Sequence, residues 1–211
     1  QPRNFHIFKG LQVSNVAISN DGKRVLTGSD HETTLLWDAN TGKSIGKPMK
    51  HDKPHGVEEV DRDGNRIPTN IAGGIARFWD GDTGEQQNWP MRHRVFIASV
   101  DLSADGKRVL TGSHDKTVRL WDATTQLQIG KPIQLKEDIW LVKFSPGDKY
   151  ILICSEAIQM YDAVSTLPLG EPIRPVGSNR SIDLSGDGAR IVTGDNNAAR
   201  LWDSTMGLPV G

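Results

Sequence analysis

The sequence predicts an all-β chain built as a radial array of four-stranded antiparallel sheets, and three observations predict it. An aromatic residue is followed at once by Asp five times, at Trp37-Asp38, Trp79-Asp80, Trp121-Asp122, Tyr161-Asp162 and Trp202-Asp203, at intervals of 42, 42, 40 and 41 residues. A period of ~40 to 45 residues is the length of one four-stranded sheet with its turns, and a chain that repeats it builds a β-propeller, each sheet being one blade. Tight-turn residues recur at one place in each interval, and a Gly- and Pro-bearing segment follows each aromatic-Asp pair.

The third repeat shows the elements in order. Ser99-Val100-Asp101-Leu102 alternates polar and apolar residues as a half-buried strand does, and Ala104-Asp105-Gly106-Lys107 supplies the Asp-Gly of a hairpin turn. Arg108-Val109-Leu110-Thr111-Gly112-Ser113 reads as the second strand. After the polar turn His114-Asp115-Lys116, the β-branched and aromatic run Thr117-Val118-Arg119-Leu120-Trp121 is the third, closed by Asp122-Ala123-Thr124-Thr125. Leu127-Gln128-Ile129-Gly130-Lys131-Pro132 is a poorer fourth strand, whose proline lacks an N–H and so belongs at a sheet edge. The other repeats copy the layout, with hairpin turns at Asn20-Asp21-Gly22-Lys23, Arg62-Asp63-Gly64-Asn65, Pro146-Gly147-Asp148-Lys149 and Gly186-Asp187-Gly188-Ala189. One domain over 1–211 follows, with blades at about 10–49, 50–91, 92–133, 134–173 and 174–211, and with 1–8 as a closing strand. The second blade, with Asn70, Gly73 and Gly74, reads as the loosest.

Composition narrows the function. Charged residues are 24% of 211 and the formal net charge is -1, so no bulk field pulls the chain toward nucleic acid or an anionic membrane. A single cysteine, Cys154, rules out an internal disulfide framework and leaves zinc clusters without ligands, so the expectation is an intracellular protein with no metal and no cofactor. No apolar run reaches the ~18 to 20 residues of a membrane-crossing helix.

The Trp-Asp ends, the Thr-Gly-Ser second strands and the Asp-Gly turns resemble the WD-repeat family of β-propellers. The resemblance implies a hydrogen-bonded chain in each blade that joins a His before the first strand, a Ser or Thr of the second, an Asp of the following turn and the Trp of the third. Only the third repeat carries all four, as His93, Thr111 or Ser113, Asp115 and Trp121. His51 stands 42 residues before His93 and is the matching candidate in the second repeat. Buried polar groups must be paired, so such a chain fixes the packing of one blade. The same His, Ser and Asp could be read as a nucleophilic triad, but the blade already explains their spacing, and no catalytic residue is assigned.

The outer segment of the last repeat stops at Leu208-Pro209-Val210-Gly211, and 1–8, ending in Phe5-His6-Ile7-Phe8, would complete that blade. This gives a closed ring of five blades, with a seven-bladed parent ring as the alternative. Partner sites are expected on the loops between one blade's outer strand and the next blade's inner strand, because strands spend their side chains on packing. Trp140, Phe96, His55 and Arg180 are the candidates there. Trp140 stands where other repeats have Ser14, Ala98 or Arg180, and it either anchors a partner or packs on a neighbouring blade. The leading function is a non-catalytic scaffold that binds proteins or peptides. A lectin-like sugar binder is one alternative, although the chain repeats no sugar-ligand set. A sensor-region fragment of a larger signalling protein is another, because the Gly-Lys-Pro outer strands resemble those of the WD-repeat sensor regions of multidomain microbial or fungal signalling proteins.

Overall fold

The computed structural model describes residues 13–19, 21–29, 33–51, 55–58, 66–71, 74–125, 127–175, 181–194 and 198–210. These residues form nineteen antiparallel strands in five sheets. The first blade holds β1 (Val13–Ile18), β2 (Arg24–Ser29), β3 (Thr33–Asp38) and β4 (Ser44–Lys50). The second holds β5 (His55–Glu58), β6 (Arg66–Ile71), β7 (Ile75–Asp80) and β8 (Gln86–Arg92). In the third are β9 (Ile97–Leu102), β10 (Arg108–Ser113), β11 (Thr117–Asp122) and β12 (Gln128–Gln134). The fourth has β13 (Leu141–Phe144), β14 (Tyr150–Cys154), β15 (Ile158–Asp162) and β16 (Pro168–Ile173), and the fifth β17 (Ser181–Leu184), β18 (Arg190–Gly194) and β19 (Ala199–Asp203). Strands pair in sequence order within each sheet, as successive hairpins dictate.

The fifth blade departs from the others. Its fourth strand is present as a single bridge, Trp202 to Pro209, with the Val210 N–H donating to the Leu201 carbonyl at 2.8 Å. The expected closing strand, 1–8, lies outside the described residues.

Two chain features make the outer strand possible despite its proline. Gly46, Gly130 and Gly170 all sit at φ between 64 and 67°, a left-handed conformation open mainly to glycine, and the outer strand breaks register there. The breaks fall between Thr34 and Leu36, Ala76 and Phe78, Val118 and Leu120, and Ile158 and Met160, one in each complete blade. The Asp of each aromatic-Asp pair then staples the turn that leads into this strand. The Asp122 carboxylate accepts the N–H groups of Thr124 at 2.9 Å and Thr125 at 2.6 Å, and Asp38, Asp80, Asp162 and Asp203 do the same in their turns.

The core lies between blades. Leu26, Leu36 and Met49 of the first blade meet Ile67 and Trp79 of the second. Ala76, Phe78 and Met91 of the second meet Val100, Leu102, Val109 and Trp121 of the third. Leu110, Val118 and Leu120 of the third meet Val142, Phe144, Ile151 and Tyr161 of the fourth, and Leu152, Met160 and Ile173 of the fourth meet Leu184, Ile191 and Trp202 of the fifth. Each blade therefore shows one face forward and one back, which is why both halves of its strands are apolar. Among the described residues, no apolar cluster joins the fifth blade to the first. The row of antiparallel four-stranded blades fits a β-propeller.

Arginines reinforce three of the four joints. The Arg66 guanidinium donates to the Gly106 carbonyl at 2.9 Å and the Ala123 carbonyl at 3.4 Å, and that of Arg108 donates to the Asp148 and Ala163 carbonyls at 3.2 and 3.3 Å. Arg24 reaches Asp82 at 2.8 Å. Of the residues that made the second blade read as the loosest, Gly73 lies outside the described residues, while the chain is closely packed at Gly74. Gly74 is buried at φ 76°, its carbonyl accepts the His93 N–H at 2.8 Å, and a Cβ there would run into the His93 and Val95 carbonyls, so the glycine marks a close approach of two backbones.

Candidate functional site

The polar chain of the third blade is buried and continuous. Trp121 Nε1–H donates to Thr111 Oγ1 at 2.8 Å, the Thr111 hydroxyl meets His93 Nε2 at 2.7 Å, and His93 Nδ1 lies 3.1 Å from Asp115. Thr117 adds a hydroxyl donated to Asp115 at 2.6 Å, and the Arg94 N–H adds a bond of 3.0 Å. A neutral imidazole with its proton on Nδ1 lets Thr111 donate to Nε2 while accepting from Trp121, so each group has a partner. Ser113 takes no part in that sequence: its hydroxyl donates to the Phe96 carbonyl at 2.8 Å and accepts the Asp115 N–H at 3.0 Å. His51 meets Thr34 Oγ1 of the first blade at 3.1 Å, and its ring stands edge-on to Trp79 with centroids 4.9 Å apart. A Trp-to-Thr bond like that of Trp121 recurs from Trp37 to Thr27, Trp79 to Thr69 and Trp202 to Thr193.

Burial sets the charge states. Desolvation pushes the His93 pKa below its ordinary 6.5, outweighing the pull of Asp115, so the ring is neutral. Burial alone would raise the Asp115 carboxyl, but the Thr117 hydroxyl, the Arg94 N–H and His93 hold it down to about 2. A folded His93 that resists protonation means that the unfolded chain binds more protons below pH 6.5, so stability falls as the pH drops through that value. Asp115 adds a second loss as the pH falls from 3.8 toward about 2. The melting temperature should therefore drop on acidification from about pH 7.5 to about 5.5, and His93→Gln should remove part of that slope. An unchanged slope in the variant would show that His93 is not the group responsible. Cys154 is buried, and burial pushes its thiol up to about 12, which leaves it neutral and unreactive.

The exposed aromatic residues gather on the loop ends that precede the inner strands. In the loop into β13 the chain alternates: Ile139 is fully buried, and Trp140 beside it is 46% exposed. The Trp140 N–H donates to the Cys154 carbonyl at 2.9 Å, fixing the loop to the end of β14. Phe96, immediately before β9, is exposed, and its ring stands edge-on to His114 with centroids 5.3 Å apart. Ser113 ties the two loops together, since its hydroxyl holds the Phe96 carbonyl and its carbonyl accepts the Ile139 N–H at 3.4 Å. Trp140 also overhangs a cavity of about 160 Å³ between the fourth and fifth blades, lined by Leu141, Cys154, Ile158, Ser181 and Ile182. Phe96 and Trp140 thus share one end of the blades, with His114 and the exposed Val95 beside Phe96. His55 begins β5, where it pairs with Ile71; Arg180 lies outside the described residues. Sequence reasoning passed over His114 and Val95, whose exposure depends on how the turn after β10 meets the loop.

Blades that pack in series and present loops at their ends fit the propeller class of repeat protein. Residues 4–38 and 90–122 match the family model described as WD domain, G-beta repeat. The chain carries WD repeats in these two stretches. No curated protein matches it. Among the described residues no helix is long and apolar enough to cross a membrane, and no group of three His, Cys, Asp or Glu could hold a metal ion.

Proposed function

We propose that the chain is a non-catalytic interaction module that binds a protein or peptide over the loop ends of its third and fourth blades. WD repeats generally serve as protein-interaction modules, and the observation that carries the reading here is the exposed pair Phe96 and Trp140 on loops fastened through Ser113. Rigidly held aromatic side chains bury large area at little entropic cost, which is what an interface anchor requires. The buried Cys154 and the structural use of His93 and Asp115 support a binding role over a chemical one. Five blades per chain, with a seven-bladed parent ring as the alternative, and an intracellular setting inferred from the single cysteine belong to the same proposal.

The test is a pull-down followed by affinity measurement of each captured partner against Trp140→Ala and Phe96→Ala. A hot-spot anchor costs about 2 kcal/mol or more when truncated, so at least a ~30-fold loss of affinity is expected for Trp140→Ala. Unchanged affinity of every partner for both variants would place the site elsewhere.

A further inference from the structure

The joint between the fourth and fifth blades lacks the arginine that the other three have. Tyr150 pairs with Asp162 as Arg24 does with Asp38, Arg66 with Asp80 and Arg108 with Asp122, so it stands at the arginine position. The guanidiniums of Arg66 and Arg108 each bond two carbonyls of the following blade, one in its first turn and one just after its aromatic-Asp pair. In the fifth blade the matching carbonyls are those of Gly188 and Ser204. Tyr150 is no substitute for a guanidinium, since a phenol has a single O–H. Its ring lies against Gly188, where an added Cβ would stand 3.2 Å from it. The Ser204 hydroxyl, at a position that holds Ala39, Gly81, Ala123 and Ala163 in the other blades, donates to the Gly188 carbonyl at 2.6 Å. A carbonyl has two lone pairs, so both carbonyls keep capacity for a further donor.

The space at this joint is a cavity of about 540 Å³, within the ~300 to 1,000 Å³ of ordinary ligand sites. Met160 and Leu169 give it an apolar wall and Tyr150 an aromatic one, while Asp162 and Asp187 add two carboxylates. Hydrogen bonds from their own turns, led by the Ser165 N–H and the Ser185 hydroxyl, hold both carboxyls below their ordinary range, so they are charged. Those bonds fall on one oxygen of each, which leaves the other for a ligand. Lys149 is the one cation of the lining, and its ammonium lies 4.9 Å from the centroid of the Tyr150 ring. Two carboxylates against one ammonium leave the cavity with a negative excess.

We propose that this cavity receives an arginine side chain of a partner protein. Its guanidinium takes the place that Arg66 and Arg108 fill at the two preceding joints, donating to the Gly188 and Ser204 carbonyls. Its methylene stem lies against Met160 and Leu169, and Asp162 and Asp187 balance its charge. Arginine is expected over lysine because two carbonyls held apart by the fold are met by two N–H groups of one rigid plane. The turns that build the cavity follow the first and third strands, whereas Phe96 and Trp140 precede first strands. Antiparallel strands alternate direction, so the cavity lies at the opposite end of the blades from that aromatic pair and stands or falls without it.

Titration of the full chain with N-acetyl-arginine amide, and with its lysine and citrulline analogues, followed by amide and methyl NMR shifts, tests this. A single residue should bind with a Kd of roughly 1 mM. The shifts should gather at Leu169, Gly188 and Ser204, and the lysine and citrulline probes should bind at least about tenfold more weakly. Tyr150→Arg supplies the missing guanidinium from within the chain, so it should abolish binding of the arginine probe and raise the melting temperature. Lys149→Ala removes a competing cation and should tighten binding about threefold, and Asp187→Asn should weaken it about threefold. Shifts that miss these residues, an equal response to the lysine probe, or undiminished binding to Tyr150→Arg would overturn the proposal. Should Tyr150→Arg fail to fold, unchanged affinity in both Lys149→Ala and Asp187→Asn overturns it instead.

Discussion

Phe78→Ala lowers the stability of the folded chain by about 3 to 5 kcal/mol, measured as the shift in chemical denaturation at constant m-value. Phe78 is fully buried on β7 and lies in the cluster where Ala76 and Met91 meet Val100, Leu102, Val109 and Trp121. Removing its ring takes apolar area out of the joint between two blades, and the neighbours are strand residues whose backbones are held by ladders on either side. They cannot slide in to fill the space, so the cavity cost adds to the lost transfer energy. Leu201→Ala, at an exposed position, should cost well under about 1 kcal/mol in the monomer. A Phe78 variant no worse than the Leu201 variant would mean that the blades are not packed face to face there.

Thr111→Val is expected to cost about 2 to 4 kcal/mol although it keeps the shape of the side chain. The hydroxyl is the shared partner of Trp121 Nε1 and His93 Nε2, and neither Thr111 nor the His93 side chain is in contact with solvent. Losing it strands two buried polar groups at once, where burial of either alone is unfavourable. The equivalent change Thr27→Val leaves a partner missing for Trp37, whose ring is only partly buried, and should cost about 1 kcal/mol. The ratio of the two effects is the readout; equal losses would show that the His93 branch adds nothing to the blade.

Much of this architecture was legible in the residues, and the reason is local. The aromatic-Asp period, the Asp-Gly turns and the Gly-Lys-Pro outer segment each impose a backbone geometry by themselves, so strand order within a blade followed. In the third blade the differences are small: β9 begins two residues before the expected Ser99, and β12 runs on past Pro132 because the register break near Gly130 removes the need for its N–H. Long-range relations were harder to see. Arg24, Arg66, Arg108 and Arg190 recur at one position, yet a recurring surface arginine has no visible target until the next blade's turn is in place. Gly74 read as looseness because sequence shows the missing side chain and hides the His93 and Val95 carbonyls that require its absence. For His51, the period gave the position beside Trp79, while its contact with Thr34 depends on how the first two blades face each other. Exposure at Trp140 was an open choice, because alternation with Ile139 decides it and the loop has no regular period.

Contacts between blades hold the fold together, and methyl NOE spectroscopy reads them directly. Cross-peaks are expected between Leu110 or Leu120 of the third blade and Val142 or Ile151 of the fourth, and between Leu152 of the fourth and Leu184 or Ile191 of the fifth. A spectrum in which these methyls contact only residues of their own sheet would contradict the serial packing of blades.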